Sequence, residues 1–122
     1  MIAADLVLVA SGTASLEAAL LKRPMVITYK LAPASFHRMW RRKYLPYVGL
    51  PNIISREFIV PEILQDEATA ENLSQALLNL LEDAGIQACL QQRFYDMHLS
   101  LKQDTSERVV QAILPYLPRG NR

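Results

Sequence analysis

The chain has 122 residues, 51% of them apolar and 20% charged, with 13 Lys and Arg set against 12 Asp and Glu. That length suits a single domain with a core of useful size, and a formal net charge of +1 argues against a general nucleic-acid binder. The lone Cys89 excludes an internal disulfide and a cysteine-built metal site, so a reducing compartment and a buried thiol are expected.

No apolar stretch approaches the roughly 20 residues that cross a bilayer, and the opening MIAADLVLVA lacks the basic start of a signal peptide. Leu6 to Val9 is an unbroken apolar run, the pattern of a parallel strand covered on both faces. Met25-Val26-Ile27 repeats it. Between the two, Leu16, Ala19, Leu20 and Arg23 fall at helical spacing, and Pro24 stops the helix. Strand, helix and strand make a right-handed crossover with a parallel pair. Ligands of such units gather beyond the carboxyl ends of the strands, where Ser11, Gly12 and Thr13 stand.

A helix amino terminus offers unsatisfied N–H groups and a partial positive charge, so this turn suits a phosphate. Gly12 permits close approach and the two hydroxyls add donors. The alternative is a plain helix cap, since Ser-Gly-Thr is neither a GxGxxG nor a Walker loop. Glu17, one turn into the helix, could accept from the hydroxyls of a ribose, or only complement the helix dipole.

After Lys30, LAPASF reads as a loop. Ala34 to Leu45 then reads as a helix closed by Pro46, with Phe36, Met39 and Trp40 on one side and Arg38, Arg41 and Arg42 on another. This basic, aromatic helix suits a solvated face, a phosphate contact or an anionic membrane surface. His37 and His98 lack metal or triad partners in the sequence.

In Tyr47 to Ile54, Pro51 argues against a central strand, leaving a connecting loop in which Asn52 serves its own turn or faces a ligand. Pro61 suggests the first position of a short helix with Ile63 and Leu64 inward. Thr69 caps a clearer helix striped by Leu73, Ala76, Leu77, Leu80 and Leu81, and Gly85 breaks the chain after it. Ile86, Leu90, Phe94, Met97 and Leu101 mark the next helix. Asp104 to Glu107 resembles a capping box, ahead of a last helix with Val110, Ile113, Leu114 and Leu117 inward, and 118–122 form a frayed basic end.

Only two strong parallel strands are visible, so upstream sequence is expected to complete the sheet. The expected organisation is a single incomplete domain, a nucleotide-binding α/β unit over 1–83 with a helical segment over 84–122 packed on it.

The run SGTASLEAALLKRPMVITYK, followed by LPNII and VPEILQ, closely resembles the carboxyl-terminal part of bacterial lipid-A-disaccharide synthases. The resemblance covers nearly the whole chain and implies an α/β fold, a partial Rossmann-like carboxyl-terminal domain of a GT-B glycosyltransferase followed by helices. It implies inverting transfer of diacylglucosamine from its UDP donor to the 6-hydroxyl of a diacylglucosamine 1-phosphate acceptor, with UDP released and with no metal or cofactor. By position, Ser11, Gly12 and Thr13 would hold the diphosphate, Glu17 the ribose, and Asn52 and Arg56 would belong to the donor site. Around Arg56, Ile-Ser-Arg replaces the family's usual Leu-Ala-Gly-Arg. Arg38, Trp40, Arg41 and Arg42 would contact membrane or substrate phosphate.

The resemblance further implies an absent amino-terminal domain carrying the acceptor site and general base, so that the chain alone is inactive. It also implies a homodimer, at the cytoplasmic face of the inner membrane of a Gram-negative-type bacterium. Two rival readings are a UDP-sugar epimerase of similar fold and a non-catalytic packing fragment that uses an open sheet edge.

Overall fold

Three short parallel strands, β1 (Val7–Ala10), β2 (Met25–Tyr29) and β3 (Glu62–Leu64), lie side by side in that order in a computed structural model, which describes residues 4–42, 44–102 and 105–116. Val7 pairs with Met25 and Ala10 with Thr28; Ile27 pairs with Glu62 and Tyr29 with Leu64. Helix α1 (Thr13–Leu20) makes the first crossover, and α2 (Pro33–Arg42) with α3 (Leu50–Ser55) lies within the second. After β3 come a 3-10 turn (Gln65–Glu67), α4 (Ala70–Glu82), α5 (Ala84–Leu101), α6 (Thr105–Ile113) and a final 3-10 turn (Leu114–Tyr116).

The central strand carries the core. Met25, Val26 and Ile27 are fully buried, as expected of a strand with neighbours on both edges. β1 departs from the expectation of two covered faces: Val9 is buried while Leu8 is 44% exposed, so this edge strand follows the alternation of a half-covered one. Helix α1 packs against β1, α3 and α5, while α4 packs against β2 and α5. Ala18 and Ala19, with no accessible surface, let α1 approach closely. On α5, Leu90, Phe94 and Met97 join the core, with Phe94 fully buried. The turn after α1 closes on Lys22 at φ 57°, whose N–H donates to the Ala19 carbonyl at 2.9 Å, while the Arg23 N–H donates to that of Ala18 at 2.9 Å.

Several expectations are revised. Pro33 is the first residue of α2 rather than part of a loop. LPNII forms α3, with Pro51 in its first turn, where the missing N–H costs nothing. Ile63 and Leu64 belong to strand β3, not to a short helix begun by Pro61. The chain breaks at Asp83 rather than Gly85: the Asp83 carboxylate accepts from the Ile86 N–H at 2.9 Å and caps α5. Thr69 caps α4 by accepting from the Asn72 N–H at 3.2 Å.

Cys89 is exposed rather than buried, because it lies on the side of α5 away from Leu90 and Phe94. The inner face expected for the last helix is exposed at Val110, Ile113 and Leu114. Asp104 of the expected capping box, Leu117 and the segment 118–122 lie outside the described residues. Among the described residues, no helix is long and apolar enough to cross a membrane.

Gly49, just ahead of α3, is buried against the central strand. A Cβ added there would stand 2.3 Å from Ile27 Cδ1 and 3.0 Å from Glu62 Oε1. Gly49→Ala is therefore expected to lower unfolding free energy by about 1–3 kcal/mol, the usual cost of overpacking a tight site. Urea unfolding followed by circular dichroism measures it; an unchanged midpoint would mean that Ile27 moves aside freely.

Candidate functional site

The carboxyl ends of β1 and β2 open into a cleft of about 600 Å³ lined by Ser11, Gly12, Tyr29, Met39, Arg42, Tyr47 and Val48. Ser11 and Gly12 follow β1, Tyr29 ends β2, Met39 and Arg42 come from α2, and Tyr47 and Val48 from the segment before α3. Residues far apart in sequence thus meet where the parallel topology leaves strand ends open.

Gly12 sits at the start of α1 with φ 123° and ψ −155°, backbone that L side chains rarely adopt. Nothing lies within 4 Å of where its Cβ would be, so glycine is required here by conformation. At Gly49 it is required by space. The Gly12 carbonyl accepts from the fully buried Ser15, from Oγ at 2.6 Å and from N–H at 3.2 Å. No side chain caps α1, so its first N–H groups remain available to an acceptor from outside the helix. The alternative of a side-chain helix cap at the Ser-Gly-Thr turn is thereby set aside.

Ser11 has a different role from its neighbours. Its hydroxyl donates to the Val48 carbonyl at 2.9 Å, and its N–H donates to the Thr28 carbonyl at 3.3 Å. The single hydroxyl proton is therefore directed at the opposite wall. In this arrangement Ser11 ties the loop in place, and the donors at the cleft among the described residues include the start of α1, the Arg42 guanidinium and the Tyr29 hydroxyl. Thr13 and Glu17 are exposed on α1 and stand outside the cleft lining.

Asn52 is placed behind the cleft, not on its surface. It is fully buried; its Nδ2 donates to the Val60 carbonyl and to Glu62 Oε1, both at 2.9 Å. Its Oδ1 accepts from the Ile59 N–H at 2.8 Å and the Val60 N–H at 3.0 Å. Both amide protons and both lone pairs are thus used within the protein. Arg56 is not brought to the cleft either. It is exposed, with φ 56°, at the far end of α3, about 10 Å along the helix axis from Gly49. Its carbonyl accepts from the Tyr47 hydroxyl at 2.7 Å, and the Tyr47 ring meets Phe58 edge-on, with centroids 4.8 Å apart.

Helix α2 buries none of its residues. Phe36 and Trp40 stack at 5.3 Å on one side. Arg38, Arg41 and Arg42 line a surface groove of about 490 Å³ together with Ala34 and His37. Arg42 alone borders both this groove and the cleft. Among the described residues, no group of three or more His, Cys, Asp or Glu could hold a metal ion. Sequence reasoning missed Tyr29, Met39, Tyr47 and Val48. Only their nearness to Lys30 and LPNII marked them, because each is apolar or aromatic and is placed by tertiary packing.

A family model described as lipid-A-disaccharide synthetase matches residues 1–113. Over 115 residues, 94% of this chain and 30% of the relative, the chain is 56% identical to a lipid-A-disaccharide synthase of Dechloromonas aromatica. It is 57% identical over 120 residues to that of Aromatoleum aromaticum, covering 98% of this chain and 31% of the relative. The match to that of Chromobacterium violaceum is 50% over 114 residues, 93% and 30% of the two chains. The chain spans about 30% of the length of these relatives.

The Asn52 amide supplies a stability test. Asn52→Asp removes both donors and sets a second carboxylate beside Glu62, so it is expected to cost about 3 kcal/mol, as for lost buried hydrogen bonds. Burial and the neighbouring charge raise the folded-state pKa of the introduced carboxyl above its unfolded value. Protonation then favours folding, so the deficit relative to wild type shrinks as pH falls through that raised pKa. Urea midpoints of both proteins between pH 7 and pH 4 measure this; a deficit that is constant across the range refutes it.

Proposed function

The chain belongs to the lipid-A-disaccharide synthetase family, and on that premise we propose that it is the donor-binding part of an inverting glycosyltransferase of the GT-B kind. Its donor would be UDP-2,3-diacylglucosamine, its acceptor 2,3-diacylglucosamine 1-phosphate, and its products the lipid A disaccharide 1-phosphate and UDP. The observation that carries this reading is the cleft at the strand ends, where the uncapped start of α1 and Arg42 face one open volume.

In the proposed reaction the acceptor 6-hydroxyl oxygen attacks the anomeric carbon as the bond from that carbon to the diphosphate breaks. The hydroxyl proton passes to a general base in an amino-terminal domain, and UDP leaves carrying the bonding pair. What these residues contribute is stabilisation of the leaving diphosphate. Backbone N–H groups at the start of α1 would be fixed donors toward the site of growing charge, the arrangement that lowers such barriers, and the Arg42 guanidinium would add a charge that adjusts to it. Gly12 and Thr13 would lie against the diphosphate, Ser11 would hold the loop to Val48, and Glu17 would accept from ribose hydroxyls. Asn52 would support the donor site from behind; Arg56 would act only on donor groups that extend past α3.

Titration of the chain with UDP and with pyrophosphate tests the assignment. Arg42→Ala is expected to weaken both roughly tenfold, the value of one charged hydrogen bond. Glu17→Ala is expected to weaken UDP alone, because pyrophosphate carries no ribose. Absence of saturable UDP binding would favour the packing-fragment reading, and equal losses for both ligands in Glu17→Ala would reject the ribose role.

On the same proposal the working enzyme would be a homodimer at the cytoplasmic face of the inner membrane, with α2 the element suited to that surface. Its arginines and the exposed Trp40 offer charge and an amphipathic ring together. At about 1 kcal/mol per basic residue, changing Arg38, Arg41 and Arg42 to Ala is expected to lower binding to anionic vesicles roughly 100-fold. Flotation measures it, and equal recovery of wild type and variant rejects a membrane role for α2.

A further inference from the structure

The segment Val60-Pro61-Glu62-Ile63-Leu64-Gln65 contains two polar side chains that line no part of the cleft, yet Glu62 is fastened to one of its walls and Gln65 to the chain that leads into the other. Glu62, at the start of β3, accepts from the Val48 N–H at 2.9 Å through Oε2, and from the Gly49 N–H at 2.8 Å and Asn52 Nδ2 at 2.9 Å through Oε1. Val48 is itself a cleft residue, and its carbonyl takes the Ser11 hydroxyl. A continuous path of hydrogen bonds therefore runs from Asn52 and Glu62 through Val48 to the loop that begins α1.

Gln65 holds the other wall. Its Oε1 accepts from the Leu31 N–H at 2.7 Å and its Nε2 donates to the Leu31 carbonyl at 3.0 Å. The side-chain amide thus copies a further rung of the ladder beyond the Tyr29–Leu64 pair. Leu31 lies two residues before α2, the helix that buries nothing of its own and ends in Arg42. The position of that helix is consequently referred to the sheet through Gln65.

We propose that Glu62 and Gln65 are positioning residues for a nucleoside diphosphate in the cleft. Glu62 sets the Val48 wall and with it the Ser11–Gly12 loop; Gln65 sets the base of α2 and with it the reach of Arg42. This rests on the nucleotide reading above. The chemistry suits the residue types. Three donors converge on Glu62, and a carboxylate has the lone pairs to accept them all. The peptide unit at Leu31 presents one donor and one acceptor, which an amide meets reciprocally and a carboxylate does not.

Isosteric variants separate positioning from packing. In Glu62→Gln, either orientation of the amide sets its NH2 against a backbone N–H and leaves that donor unmet; in Gln65→Glu, a carboxylate faces the Leu31 carbonyl. Each is expected to weaken UDP binding by calorimetry roughly tenfold, while amides of α4 and α5 keep their protection in hydrogen exchange. Val48 and Gly49 amides should exchange faster only in Glu62→Gln, and Leu31 only in Gln65→Glu. Because Glu62 acts through Val48 on Ser11, its effect on UDP affinity should be non-additive with Ser11→Ala, whereas that of Gln65→Glu should be additive. Unchanged affinity in the isosteric variants overturns the proposal, as does additivity of Glu62→Gln with Ser11→Ala. A wild-type chain that binds no UDP rejects the nucleotide reading instead, and unaltered exchange at Val48, Gly49 and Leu31 then overturns the wall-holding roles independently.

Discussion

The side-chain amide of Asn52 and the carboxylate of Glu62 meet at 2.9 Å behind the cleft, and the second crossover depends on that meeting. Between them they satisfy backbone N–H groups of Val48, Gly49, Ile59 and Val60. None of these belongs to a regular ladder, and several are cut off from water, where an unmet donor costs about 1–3 kcal/mol. Without this pair, α3 and the return to β3 would be loops with unpaid polar groups, and β3 would lose the register that sets it against β2. Gly49 follows from the same constraint. The chain must pass close enough to β2 for Glu62 to reach two successive amides, and no side chain fits in the remaining gap beside Ile27.

That buried network also accounts for the division between structural and ligand-facing groups. Polar side chains in a protein interior are committed to one arrangement by the cost of leaving them unpaired, so Asn52, Ser15 and Glu62 hold shape. Groups left free to meet a ligand are the cheaper ones: backbone N–H at the start of α1, and guanidinium groups on α2 that remain solvated. Ser11 lies between the two classes, since its one proton is spent on Val48 while its lone pairs stay open. On the proposed function, a motif of small hydroxyl residues would thus mark a phosphate loop even where a hydroxyl is not the donor.

The β1–α1–β2 unit was legible because its signals are local: two apolar runs, a helical stripe between them and a proline at its end. The α4 and α5 stripes were legible for the same reason, and the buried faces at Leu80, Leu90, Phe94 and Met97 follow them, although Leu81, Ile86 and Leu101 of the expected stripes are exposed. The prolines misled. Pro51 argued against a strand and does begin a helix, while Pro61 suggested a helix and precedes a strand; each position tolerates a missing N–H, so the ring alone does not decide. β3 is three residues long and exists because the open edge of β2 and the Asn52–Glu62 contact hold it there. No periodicity can announce such a strand. At the site, Gly12 and Arg42 were visible as types, but their sharing of a cleft is a product of the second crossover.

The start of α1 and Arg42 differ in how firmly they are held, and the difference would suit the leaving-group stabilisation proposed above. The start of α1 is fixed by Ser15, by Ser11 and by burial of Ala18 and Ala19, so its N–H groups need no reorganisation as charge develops. Arg42 hangs at the end of a helix with no buried residue, anchored to the sheet near its beginning by Gln65 and Leu31. A long guanidinium on such an arm loses more freedom when it binds, which lowers its net contribution. In return, under the proposed function, it would follow a diphosphate as the substrate enters and as UDP departs. A fixed dipole with an adjustable charge opposite it would hold such an anion in place while leaving one side of the cleft able to open.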